Sequence, residues 1–362
     1  MVKSSVVSTA DLIRHARSAK NKMKTAPFSY GSDRSGLVCG YLFGRQTQAQ
    51  PINSLEALDW IGNRSGHPAS EFIWLHFNLT NTASEKWLKE HASLPEEYFE
   101  TLHEGLHSTR IENANGTLIA VVNDVLYDFS FDPADIATLW VSVDAQVVVS
   151  ARRRPLQSID RLRAAVMNGE TIRSSVELLS HLLHDQADVL VNIVRDVTTR
   201  VDNVEDNLLS GKFSHKRANL GELRRVLVRL QRLLAPEPAS LFRLLQKPPG
   251  WMAPADTQEL DQSTEEFSVV LSDMTSLQER IKLLQEEIAA RVNEENNRSL
   301  YVLTIVTVLA LPINMIAGLL GMNVGGVPLA QHPDGFWIVL GVVATVTIVA
   351  GWLAFRRQGD GS

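Results

Sequence analysis

LYVLTIVTVLALPINMIAGLL, residues 300–320, holds no ionisable side chain except the Tyr301 phenol. About 21 residues at 1.5 Å rise cross a hydrocarbon core of roughly 30 Å, so the stretch reads as a transmembrane helix. A second apolar run, FWIVLGVVATVTIVAGWLAF at 336–355, meets the same test after the loop GMNVGGVPLAQHPDG at 321–335. The chain is therefore expected to end in a two-helix membrane hairpin. The loop has no Lys or Arg, whereas Arg298 precedes the first span and Arg356 and Arg357 follow the second. Positive charge is retained on the cytoplasmic side, which puts both ends of the hairpin in the cytoplasm and the loop outside. Met1 is not followed by a charged, apolar and cleavable leader, so the segment before the hairpin is expected to be cytoplasmic too.

Working back from the loop, Gly321, Gly318, Asn314, Leu311, Thr307, Thr304, Leu300 and Asn297 succeed one another at alternating steps of three and four. That is the seam of a heptad. Asn is costly against lipid, so Asn314 and the two Thr residues are expected to face a bundle interior or a water-filled path. The bland alternative has Thr304 and Thr307 bonding their own helix carbonyls while Asn314 only joins two helices. Pro312 withdraws the amide that would pair with the Val308 carbonyl and is expected to break the helix locally. One hairpin cannot enclose a polar path, so this reading requires several copies of the chain.

Gly321-Met322-Asn323 stands at the outer end of a Pro-containing first span, followed by a short loop and one more helix. That placement resembles the signature of the CorA superfamily of divalent-cation transporters. The continuation Val324-Gly325-Gly326-Val327-Pro328, with Phe336 and Trp337 opening the second helix, is similar to the zinc-transporter (ZntB-like) branch. The segments EFIWLHFNLTNTASEKWLKEHASLP at 71–95 and VEDNLLSGKF at 204–213 look ZntB-like as well, so the resemblance runs from about Gly36 onward.

The resemblance implies a homopentameric pore in the inner membrane, with a funnel of five long helices. Gly321, Met322 and Asn323 would form the entrance filter, and Asn297, Leu300, Leu303, Thr304, Thr307, Leu311, Asn314 and Gly318 would line the path. A divalent cation, zinc or magnesium, is the implied substrate, and no covalently bound cofactor is expected. A ring of Asn323 amide carbonyls can hold a hydrated cation without the trapping that a carboxylate ring would cause, and leucine rings can close a pore by dewetting. The zinc branch is associated with proton-coupled movement, yet no acidic residue lies between Leu300 and Asn323.

The rest of the chain reads as an α+β membrane protein. Its 362 residues are 44% apolar, which suits a water-soluble majority plus two spans. A single cysteine, Cys39, rules out an intrachain disulfide framework, and a net charge of -6 argues against nucleic acid as partner. A mobile tail is expected over 1–35 and a mixed α/β domain over 36–154. Its strands are Leu37–Phe43, Phe72–Phe77, a hairpin about Asn115-Gly116, and a second hairpin about Asp144-Ala145. Its helices are Ser54–Ile61, Thr82–His91, capped by Thr82 with Glu85, and one opened by Pro95. A helical domain follows over 155–255, with a long helix from Ile172 to Leu209, ended by Gly211, and a partner from His215 to Leu234. From Asp256 the pattern runs on without Pro or Gly, so a stalk over 256–299 is expected to continue into the first span. Residues 356–362 form a short cytoplasmic tail.

Three further constellations bear on function. His103-Glu104-Gly105-Leu106-His107 matches a metalloprotease pattern, but Gly105 weakens the helix that chemistry needs, and a surface helix end accounts for it. His181, His184, Asp185 and Asp188 share one helix face and could hold a regulatory metal, although a solvated or helix-packing face accounts for them more simply. Extending the pore register backward puts Asn293, Glu286, Glu279 and Glu265 on one face, an acidic stripe that would concentrate cations at the cytoplasmic mouth. Against it stands a solvated outer face with local pairs such as Glu287 to Arg291.

A cation transporter is thus weighed against a membrane-anchored sensor or adaptor, with an enzyme a distant third. Magnesium, cobalt or nickel remain alternatives to zinc as cargo. A tether needs neither Asn314 at bilayer depth nor Gly-Met-Asn at the mouth, and nothing beyond residues 103–107 suggests catalysis. Asn323→Ala is expected to abolish selective divalent-cation flux while leaving assembly unchanged, checked by ion uptake alongside native mass measurement.

Overall fold

Several strands read as unbroken apolar runs instead of alternating ones, as expected when both faces of a sheet are covered. The computed structural model, which describes residues 31–44, 48–103, 109–210, 217–321 and 332–359, shows such a sheet. Its strands are β1 Leu37–Phe43, β2 Gln50–Pro51, β3 Phe72–Asn78, β4 Arg110–Ala114, β5 Thr117–Val125, β6 Ile136–Val143 and β7 Val147–Arg152. They lie in the order β2-β1-β3-β7-β6-β5-β4. β3 and β7 pair in parallel, and the other neighbours are antiparallel. β2, which the sequence reading did not anticipate, is a two-residue edge strand carrying Pro51, a residue tolerated in a sheet chiefly at edges.

Helices α1 Ser54–Gly62, α2 Thr82–His91 and α3 Glu96–His103 belong to one face. There Ile73, Leu75 and Phe77 of β3 pack in one cluster with Trp60, Leu88, Tyr98 and Phe99. Phe72 and Trp74, the alternate residues of β3, belong to the cluster on the other face. That face is closed by α4 Gln157–Met167, α5 Ser175–Leu209 and α7 Pro236–Gln246, through Leu162, Leu179, Leu183 and Leu241. Between α5 and α7 comes α6 Arg217–Leu234, whose Leu220, Leu223, Leu227 and Leu230 are buried.

Local chemistry accounts for the element ends. Asn53 and Glu56 form a reciprocal capping box at α1, with bonds of 3.0 and 2.8 Å. The expected Thr82 cap of α2 is corrected by one residue. Asn81 has extended backbone angles and its side chain accepts from the Ala83 amide at 3.0 Å, so Thr82 is already helical. Asn115 and Gly116 both have positive φ, 53° and 90°, the backbone that a two-residue hairpin requires.

One polar cluster lies under the sheet's centre. Trp74 Nε1 donates to Ser150 Oγ at 2.8 Å, and Arg152 Nε donates to His76 Nε2 at 3.1 Å. An accepting Nε2 leaves the imidazole proton on Nδ1, 2.8 Å from Ser150 Oγ. Burial, with the Arg152 charge reinforcing it, holds the His76 pKa well below its ordinary value, so the ring is neutral.

The longest element is α8, Pro254–Leu320, 67 residues or about 100 Å at 1.5 Å each. It runs through Pro312 without ending, contrary to the expected local break, because one missing amide removes one bond from a long ladder. A last helix, α9, covers Gly335–Gly359. The chain divides into two compact units, one ending at Ile281 and the other beginning at Lys282. The expected mobile tail falls almost wholly outside the described residues, as do Gly211, His215 and positions 104–107 of the metalloprotease-like pattern.

Phe267 is 1% exposed on α8. Phe267→Ala is expected to cost about 3–5 kcal/mol through lost transfer energy and the cavity left behind, read as a lower denaturant midpoint of the purified chain.

Candidate functional site

α8 carries two seams, each at steps near three and four. The first, Leu260, Thr264, Phe267, Leu271, Met274, Leu277 and Ile281, is buried. Polar contacts flank it. Ser174 Oγ donates to Asp256 at 2.7 Å, Arg173 bridges Glu177 and Glu259 at 3.0 Å each, and Gln231 Nε2 reaches Thr275 at 2.6 Å. Arg280 of α8 joins Asp202 of α5 at 2.7 Å and also meets Glu205. Together these contacts fix which side of α8 turns inward.

The second seam is the one read from the sequence. Glu265, Glu279, Glu286, Asn293, Asn297, Leu300, Thr304, Thr307, Leu311, Asn314, Gly318 and Gly321 are all exposed, as is Leu303 beside them. The carboxylates are not the whole of this stripe. Val269 and Leu283 fall in the same register, 60% and 63% exposed, together with Ser272, Ser276 and Ala290, so the stripe mixes carboxylates with small and aliphatic side chains. Arg291 pairs with Glu287 at 2.8 Å on a neighbouring face, as the solvated-face alternative anticipated.

Within the apolar half of α8, the two Thr hydroxyls behave as the bland alternative supposed. Thr304 donates to the Leu300 carbonyl and Thr307 to the Leu303 carbonyl, each at 2.8 Å. A hydroxyl so engaged still offers its lone pairs outward. The Gly321 amide closes the helix on the Ala317 carbonyl at 2.9 Å. Met322 and Asn323 lie outside the described residues. Among the described residues, α8 is long and apolar enough to cross a membrane, and Gly335–Val349 of α9 forms a shorter apolar helix.

The proposed regulatory metal site on α5 is corrected. Among the described residues no group of three or more His, Cys, Asp or Glu side chains converges to hold a metal ion. His181 turns to Glu170 at 3.0 Å, His184 to Glu266 of α8 at 3.2 Å, and Asp188 lies 3.8 Å from Arg161 of α4. Spacing on one helix puts side chains on one face, but neighbours on both flanks draw these apart. Asp185 is partly buried, and burial pushes its carboxyl up to about 6 against the pull of His181 and Arg161. His103 bonds the Phe99 carbonyl at 2.8 Å at the end of α3, in keeping with a helix end.

Comparison with known proteins matches this architecture to one family. The model described as "CorA-like Mg2+ transporter protein" matches residues 69–357. The chain belongs to that family. It is 29% identical to the divalent cation transporter CmaX of Pseudomonas aeruginosa over 332 residues, covering 90% of this chain and 97% of CmaX. The structure of full-length CmaX superposes with a TM-score of 0.74 at 28% identity, over 90% of this chain and 99% of that one. The zinc transport protein ZntB of Pectobacterium carotovorum is 26% identical over 321 residues, 88% of this chain and 95% of ZntB. The CorA magnesium transporter of Methanocaldococcus jannaschii shares the fold at 18% identity, with a TM-score of 0.71 over 88% of this chain and 97% of that one.

Because each turns to a separate carboxylate, His181→Ala together with His184→Ala is expected to leave the number of metal ions bound per chain unchanged, measured by calorimetric titration with zinc.

Proposed function

We propose that the chain is one subunit of a homopentameric ring that carries divalent cations, zinc foremost, across the cytoplasmic membrane. The observation that carries this reading is the apolar stretch of α8 from Leu300 to Gly321, in which Thr304, Thr307 and Asn314 are exposed in one register among aliphatic side chains. A lone copy would present Asn314 and the aliphatic residues around it without a matching surface. Five copies packed on this seam enclose a path, and α9 is then the second span, with both termini cytoplasmic.

Each residue type has a part in that path. Carboxylates at Glu265, Glu279 and Glu286 raise the local cation concentration, an effect screened beyond a Debye length of about 8 Å at physiological salt. Asn314 and the outward lone pairs of Thr304 and Thr307 bond the ion's water, and the rings of Leu300, Leu303 and Leu311 close by expelling it. At the outer mouth Gly321, Met322 and Asn323 select the ion through the Asn amide. Zinc ordinarily prefers His and Cys, and the seam has neither, so zinc is carried here with its water. The relatives named for zinc transport support that choice of cargo.

Purified protein in liposomes is expected to take up zinc faster than magnesium. Asn314→Leu should cut the flux at least tenfold while native mass measurement still finds the ring. A transporting monomer or dimer would overturn the ring, and magnesium uptake in preference to zinc would overturn the choice of cargo alone.

A further inference from the structure

Glu237 sits in the first turn of α7 between Pro236 and Pro238 and is fully buried. Three elements close over it. Asn123 and Asp124 come from β5, Gln186 from α5, and Thr109 from the residue before β4. Gln186 Nε2 donates to the Asn123 carbonyl at 2.7 Å and to Glu237 Oε2 at 3.3 Å. Glu237 Oε1 and Gln186 Oε1 are both buried acceptors without a donor. The Thr109 hydroxyl faces both Glu237 and the Leu233 carbonyl, 3.0 Å away, and its single proton cannot serve both acceptors at once.

Asp124 is buried too, but differently supplied. It accepts from the Ser158 amide at 2.9 Å, the Ser158 hydroxyl at 2.6 Å and the Val125 amide at 2.7 Å. Arg161 of α4 adds a favourable charge. Two neighbouring buried carboxyls do not both ionise readily, and the one with fewer donors keeps the proton. That one is Glu237. A proton there turns an acceptor into the donor that the cluster lacks.

We propose that Glu237 is a proton-binding site, and that its proton pins α7 to the sheet so that alkalinisation loosens this joint. α7 packs on β4 and leads through Pro248-Pro249-Gly250 into α8, so the joint lies where the long helix is anchored. Burial pushes the Glu237 carboxyl up to about 8, with hydrogen bonds from Gln186 and Thr109 opposing and the Asp124 charge reinforcing. Exposed, the same carboxyl titrates near 4.5. Between those values the closed joint holds a proton that the open joint has released. Raising the pH therefore favours opening through this window and has no further effect above it.

Infrared spectroscopy of the full-length protein tests the assignment. A protonated-carboxyl stretch is expected at pH 6.5, moved by isotope-labelled Glu, lost by pH 9, and missing from Glu237→Gln. Hydrogen exchange of the α7 amides, corrected for intrinsic rates, should show opening that rises about tenfold per pH unit up to pH 8 and then levels. This second measurement needs only the wild type, should the variant fail to fold. A stretch that moves with labelled Asp instead, no such stretch at all, or α7 opening independent of pH would overturn the proposal.

Discussion

The rest of the molecule depends on one constraint: over Leu260 to Ile281, α8 buries one side within its own chain. Phe267, Met274, Leu260 and Ile281 lie fully inside, and each such side chain contributes about 1.5–3 kcal/mol relative to exposure. That sum fixes the helix's rotation about its own axis. The ion pairs of Arg173 and Arg280 are half exposed and add little energy. Their value is directional, because a guanidinium bridging two carboxylates tolerates few rotations of the helix that carries it. With rotation fixed, Glu265, Val269 and Glu279 are left on the open side of this part of the helix.

The sheet serves this end. Covered on both faces, it gives α5 and α7 a rigid floor, and α7 in turn sets where α8 begins. The corner is pinned again where Trp251 donates its indole N–H to the Gly116 carbonyl in the tight β4–β5 turn. Burial here extends to polar groups. His76 is held as a neutral ring between the Arg152 guanidinium and the Ser150 hydroxyl, whereas the Glu237 cluster closes only when a proton is supplied.

Much of the fold was legible in the sequence because its signals are local. The hairpin at Asn115-Gly116 follows from two positive φ angles, and α5 and α8 from apolar spacing sustained over many turns. Errors arose where a neighbour decided. Thr82 and Asn81 are equally good caps by composition, and the path of the chain out of β3 chose Asn81. Glu237, between two prolines in a first helical turn, has the sequence signature of a solvated residue, and nothing local announces that Gln186 and Asp124 will close over it.

The sequence by itself determined the register of the exposed seam, since the alternation of three and four is a property of the helix and needs no partner. It also determined family membership through the placement of Gly321, Met322 and Asn323. Tertiary structure alone decided which side of α8 is buried, because that depends on where α5 and α6 offer apolar surface. It alone separated His181, His184 and Asp188, which one helix face had seemed to unite, by setting Glu170, Glu266 and Arg161 beside them. Spacing along a chain fixes direction from an axis, whereas the partner met in that direction comes from segments far away in sequence.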